Sequence, residues 1–327
     1  MQTYALPLPQ LLLITLISCG YASNRSVSWW LADYNSAALA ENVAFLNDAD
    51  GSVSAIFHCC AGPRIAANGS YVPNALQEAM FSELVRAERG AGNGLTSKRP
   101  ILLSLSPAPD AVLDGVAQNA VPALVALASR IGCDGFVADY EPHANTTEAH
   151  ATLYAAFLGT LGAALHRTGK RLAVCVSDWG VLNQYGILST AQADWYVSMS
   201  NTYGGRGAEY TLAAKLGVKR MLEAFPVESV IVGIGTVAPA SCHCTFGDTG
   251  NCTADYGWTQ QSLSAFVRWS ADRGVRGLAV WRTDIYPRYC NTSDGSPPGI
   301  SSFMLPVFDA FMNAGKGTVQ TLTDSSF

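Results

Sequence analysis

Along the chain, short apolar or β-branched runs alternate with longer stretches in which apolar residues recur at helical spacing. The runs begin near Val27, Val53, Ile101, Cys133, Leu172, Trp195, Val230 and Arg276. Helical patterns fill the intervals at 37–46, 74–89, 111–130, 147–167, a weak stretch after Val181, 208–225 and 260–273, and the series closes with 303–312. In the fourth of these, Leu153, Phe157, Leu161 and Leu165 recur every four residues and predict one buried, drifting face. Runs such as Ile101-Leu102-Leu103 and Val230-Ile231-Val232 are apolar throughout. That is expected of strands whose one face is covered by helices while the other lines a packed interior. Eight β-then-α units in order predict an α/β architecture, a single (β/α)8 TIM barrel.

No linker interrupts the alternation. Gly90-Ala91-Gly92-Asn93-Gly94 and 292–299 read as turn-rich loops within it, and no solenoid-type repeat is present. The expected organisation is a barrel over 24–313 with a polar tail at 314–327. Ahead of it, the apolar run Leu11-Leu12-Leu13-Ile14-Thr15-Leu16-Ile17-Ser18 is too short to span a bilayer and is followed by Gly20, Ala22 and Ser23. Residues 1–23 therefore read as a cleaved secretory signal, although no basic residue precedes the apolar run. Leu16-Ile17-Ser18-Cys19 also fits a lipoprotein cleavage site.

Composition narrows the function classes. At 49% apolar and 14% charged, the 327 residues are neither disordered nor collagenous. A net charge of −5 with no basic stretch leaves no nucleic-acid footprint, and no later segment is apolar enough to span a membrane. A sugar, peptide or small molecule is the expected partner, bound by a monomer. Of nine cysteines, Cys19 lies in the expected signal. Cys59, Cys60, Cys133, Cys175, Cys242, Cys244, Cys252 and Cys290 are left, an even set that predicts disulfides in an oxidising compartment. His58-Cys59-Cys60 and Cys242-His243-Cys244 look like metal ligands, but in an exported chain disulfides are the better reading, so no metal or cofactor is expected. Sequons at Asn24, Asn68, Asn145, Asn251 and Asn291 agree with a secreted glycoprotein.

The candidate chemistry lies at the end of the fourth strand, where active sites of such barrels gather. There the chain reads Asp134-Gly135-Phe136-Val137-Ala138-Asp139-Tyr140-Glu141-Pro142. Side chains alternate faces along a strand, so Val137, Asp139 and Glu141 share the axis-facing side. Two stacked carboxylates raise the cost of each other's ionisation, and one can stay protonated near neutral pH as a general acid. The plainer reading is a structural acidic pair binding backbone amides or an arginine.

This stretch resembles the D-G-x-D-x-D-x-E signature of family 18 glycoside hydrolases, the chitinases and endo-β-N-acetylglucosaminidases. Asp134, Gly135, Asp139 and Glu141 match it, while Val137 stands where the family has an acid. Elsewhere Trp281, in Gly277-Leu278-Ala279-Val280-Trp281, is similar to the family's eighth-strand tryptophan beneath the sugar. Ser104 resembles its third-strand serine, without the glycine pair that follows in the family. In Ser198-Met199-Ser200-Asn201-Thr202-Tyr203 the methionine is kept, but Asn201 and Thr202 replace a tyrosine and an aspartate.

The resemblance implies hydrolysis of β-linked N-acetylglucosamine in chitin, a chitooligosaccharide or the chitobiose core of an N-glycan. Glu141 would be the general acid, the substrate's 2-acetamido group the nucleophile, and Asp139 the group that steadies it. Substrate contacts would come from Trp281, Tyr203, Asn201, Asp178, Trp179, Trp30 and Asp134, with core packing the competing role for the tryptophans other than Trp281. Val137 leaves two effects on Asp139 opposed: burial raises its pKa, and loss of a like charge lowers it. A silent sugar-binding barrel, or another Asp-x-Glu barrel glycosidase such as a family 25-type lysozyme, are the alternatives.

Overall fold

A computed structural model describes residues 25–32, 53–59, 62–89, 99–142, 147–199, 208–235, 260–281 and 300–315. Eight parallel strands form its centre: β1 Ser26–Ala32, β2 Ala55–Cys59, β3 Ile101–Pro107, β4 Gly135–Ala138, β5 Arg171–Val176, β6 Trp195–Ser198, β7 Val230–Gly235 and β8 Gly277–Trp281. Each pairs with its successor, and β8 returns to β1 through Ser26↔Gly277 to Trp29↔Val280, so the sheet closes. This is the predicted (β/α)8 barrel.

Alternation along each strand divides the core in two. Trp30, Phe57, Leu102, Val137, Ala173, Cys175, Trp195, Val197, Ile231 and Ala279 fill the barrel interior. Their neighbours in sequence, including Trp29, Leu31, Ile56, Leu103, Phe136, Val174 and Val280, face outward into a larger cluster beneath the helices. Trp29 meets Phe308 edge-on at 5.9 Å, whereas Trp30 meets Phe57 inside the barrel at 5.1 Å. Successive residues of β1 thus serve different cores.

The longer helices are α1 Ala75–Arg89, α2 Val121–Ile131, α3 Glu148–His166, α4 Ala208–Ala224, α5 Gln260–Asp272 and α6 Ile300–Met312. The helix expected at 37–46 lies outside the described residues, as do the signal at 1–23 and most of the tail. The single helix expected at 111–130 is broken. A short helix Pro109–Leu113 stops before Gly115, which takes φ +67°, and the chain resumes through a 3-10 turn, Ala117–Ala120, into α2 with a proline in its first turn. The weak stretch after Val181 resolves into one short α turn, Tyr185–Leu188, between 3-10 turns. In α3, Thr147 caps the N-terminus by accepting from the His150 amide at 3.2 Å. Its four-residue periodicity drifts by about 40° per step, enough to leave Leu153 37% exposed while Phe157, Leu161 and Leu165 are buried. Tyr154 takes the inward place instead.

Two expectations about cysteine change. Cys133 and Cys175 are buried free thiols, so the even-numbered disulfide set does not include them. Cys175 points into the barrel and Cys133 packs beneath the helices, so neither reaches the loops where a bridge would form. The side chains of the other cysteines lie outside the described residues. Among the described residues no helix is long and apolar enough to cross a membrane.

Candidate active site at the mouth of the fourth strand

β4 is positioned from its foot. Asp134 Oδ2 accepts from the Ile101 amide at 2.8 Å and pairs with Arg89 at 2.5 Å, tying β4 to β3 and to the end of α1. Gly135 follows at φ +149°, where a Cβ would come within 1.9 Å of the Arg171 carbonyl oxygen. The Asp-Gly pair of the signature is thus explained by packing. Asp134 lies roughly 20 Å from Glu141 at about 3.3 Å per residue. It belongs to the foot of the barrel and not to the substrate face, which corrects its assignment as a sugar contact. The signature gave no hint of this, because a strand carries its first and last residues to opposite ends of the barrel.

Further along, Val137 is buried in the interior cluster, and Asp139 and Glu141 continue its face into the cleft. The Asp139 amide donates to the Leu105 carbonyl at 2.9 Å, which fixes the strand end. The Asp139 carboxyl sits below the rim, with Oδ1 buried and without a hydrogen-bond partner. Burial, reinforced by the nearby Glu141 carboxylate and opposed by the Cys175 thiol, pushes its pKa up to about 7. Of the two effects that Val137 set against each other, burial is the larger. Glu141 is exposed at the mouth, where a substrate oxygen can reach it.

Two clefts meet at these carboxyls. One is walled by Trp30, Trp179 and Trp281, with Val197, Ser198, Met199, Gly233 and Ala279 completing it. Trp30 and Trp281 stand edge-to-face with centroids 5.5 Å apart, and Trp179 is 41% exposed on the opposite lip. Apolar ring faces beside a pair of acids suit a pyranose, whose axial C–H bonds form an apolar surface. The other cleft is polar, lined by Arg64, Ser104 and Ser106 among others. It is shaped by a small hairpin, Arg64–Ile65 with Tyr71–Val72, laid on the end of β3 through Arg64↔Ser106.

By sequence, no family model matches the chain and no curated protein sequence matches it. By structure, it superposes on a chitinase from Chromobacterium violaceum with a TM-score of 0.61 at 16% identity, over 90% of this chain and 100% of that one. A class V chitinase from Nicotiana tobaccum gives 0.61 at 12%, over 88% and 99%. Catalytic domain 2 of the group II chitinase of Ostrinia furnacalis, a variant in complex with penta-N-acetylchitooctaose, gives 0.61 at 13%, over 90% and 97%. The chain has the chitinase fold.

Within this chitinase fold, the structure brings Trp30, Trp179 and Trp281 together around Asp139 and Glu141. Asp178 is exposed beside Trp179 and is not among the residues lining the cleft. Asn201 and Tyr203 lie outside the described residues. His58 faces outward, fully buried and edge-on to Phe81 at 4.6 Å, so it does not line the site. Sequence reasoning missed Cys175 and the Arg64 hairpin. Cys175 had been counted as a disulfide cysteine, although its place in an apolar strand, two residues before the loop, was available as a signal. The hairpin's two-residue strands carry too little periodicity to be read.

Proposed function

We propose that the protein is a retaining glycosidase that cleaves β-linked N-acetylglucosamine with assistance from the substrate's own acetamido group. The observation that supports this reading is that Asp139 and Glu141 lie just past the end of β4, at the mouth of the barrel, in a cleft walled by three tryptophans. The chitinase fold supports it.

In the first step the acetamido oxygen bonds to the anomeric carbon as the glycosidic C–O bond breaks, and Glu141 gives its proton to the departing oxygen. Asp139 stabilises the positive charge on the resulting oxazolinium ring. Water then attacks the anomeric carbon, Glu141 takes its proton, and the acetamido group is released with configuration retained. Because Asp139 stays protonated up to about pH 7, the free protein holds the working proton there. Passing it to Glu141 arms the acid and leaves Asp139 ionised opposite the developing charge. Above about pH 7 the pair loses this proton, and turnover falls. The apparent pKa belongs to the pair.

We also propose export, on the grounds of the 1–23 segment and the sequons; a cleaved N-terminus and a glycosidase-sensitive mass would support it.

The function is tested on chitooligosaccharides and on an N-glycopeptide. Wild type should hydrolyse at least one of them, and Glu141→Gln should keep fold and sugar binding while losing about 10²–10⁴-fold in turnover. A thiazoline mimic of the oxazolinium should inhibit, and matched substrates with a plain 2-hydroxyl should be poor. Tight binding without hydrolysis by wild type would replace this reading with a silent sugar-binding barrel. Unchanged turnover in a folded Glu141→Gln would remove Glu141 from its role.

A further inference from the structure

The β4–β5 register sets Cys175 beside Asp139. Val137 is paired with Ala173 and Ala138 with Val174, so the next level joins Asp139 to Cys175. Both face the barrel axis, since Cys175 belongs to the same interior cluster as Val137 and Ala173. The thiol is fully enclosed, takes part in no disulfide and sits next to the Asp139 carboxyl on the neighbouring strand.

The other groups around Asp139 do not fill this place. Val137 below it is apolar, and Glu141 above it is a like charge. On the β3 side the register sets Ser106 level with Asp139, but Ser106 is exposed at the rim with Arg64 in the polar cleft. From α3, Tyr154 faces the pair electrostatically, yet it packs with the outer cluster and its hydroxyl makes no hydrogen bond. The Tyr140 hydroxyl is engaged by His150 Nε2 at 2.7 Å. Ser104 of β3 is buried and lines the polar cleft with Asp139, but the register sets it one level lower, opposite Val137. Among the described residues, the buried donor on a neighbouring strand at the level of Asp139 itself is Cys175.

We infer that Cys175 is a positioning residue for Asp139, whose S–H donates to the carboxylate, turns it toward the cleft and favours its ionised form. A cysteine that only filled space would be replaceable by alanine without effect on titration. As a donor it makes proton loss from Asp139 easier, so its removal should make the carboxyl hold its proton to higher pH.

The kinetic part of the test rests on the proposed glycosidase reading; the spectroscopic part does not. The alkaline limb of kcat/KM, which reports the free enzyme, is compared in wild type, Cys175→Ala and Cys175→Ser. Cys175→Ala should move that limb upward by about 0.4–1 pH unit, the equivalent of one ordinary hydrogen bond, and Cys175→Ser, which keeps a donor, should stay near wild type. Independently, the infrared S–H stretch assigned by difference from Cys175→Ala should shift as pH crosses about 7, where Asp139 titrates. The shift should vanish in Asp139→Asn. An S–H band indifferent to pH and to Asp139→Asn overturns the inference, whether or not the protein proves to be a glycosidase. So does an identical alkaline limb in all three proteins. A responsive band in a protein that hydrolyses no N-acetylglucosaminide would uphold the contact and reject the proposed function.

Discussion

Asp139→Asn should make the folded protein more stable at alkaline pH while abolishing the proposed activity. The folded state holds this carboxyl at about 7 against an ordinary 3.8, chiefly through burial and then through repulsion by Glu141. A carboxyl whose pKa is raised on folding costs nothing where both states keep the proton. The cost starts as pH rises past the unfolded value and is complete above the folded one. About three pH units at about 1.4 kcal/mol each gives an upper figure of about 4 kcal/mol. Water entering from the cleft reduces it, so a gain of about 2–4 kcal/mol is expected for the variant at about pH 8.5, and almost none at about pH 4. Urea denaturation of both proteins at these two pH values measures the difference. An equal gain at both would point to packing and not to charge. No gain at the higher pH would refute the claim that folding forces an ionised Asp139 into the barrel mouth.

Glu88 and Arg99 form a two-bonded ion pair with side chains only 2% and 3% exposed, so Glu88→Ala, which takes this carboxylate away from a buried guanidinium, should cost about 3–5 kcal/mol in the same assay. Cys133 and Cys175 should resist a thiol reagent in the native state and react on unfolding without reductant, so at least these two thiols should be titrated. Finding none would place them in disulfides and contradict the core as described.

The barrel was legible because its strands are continuous apolar runs and its helices are long enough for a period to show. What escaped was set by single residues that act against the pattern. Gly115 ends a helix that the apolar spacing of 111–130 carries straight through. Leu153 obeys a spacing of four, which is close to a helical turn but not equal to it, and the accumulated rotation brings it to the surface. At the site, face parity alone places Val137, Asp139 and Glu141 together, since it depends only on the period of a strand. Asp134 shows where a motif misleads: its letters are contiguous, but its first acid ties the foot of the barrel and its last meets the cleft. The inward place of Cys175 was open to reading from its apolar strand, but its level with Asp139 comes from the β4–β5 register, a pairing across the whole of α3.

The exchange of an acid for Val137 bears on how the proton is kept. A carboxylate at that level would sit in a cluster made of Trp30, Phe57, Leu102, Ala173 and Val197, apolar neighbours that make a second buried charge costly. With valine there, the barrel buries one carboxyl at this depth instead of two. Asp139 nevertheless titrates near neutrality, because enclosure, reinforced by the Glu141 carboxylate, pushes its pKa up to about 7. The pair therefore retains a transferable proton at physiological pH without a third acid. What the valine cannot supply is a polar contact that orients Asp139 from within the barrel, and the neighbouring strand places a thiol at that level. A departure from the signature at Val137 is thus compatible with acid catalysis by Glu141. How firmly the weak donor at Cys175 holds the carboxyl then sets how well Asp139 can serve turnover.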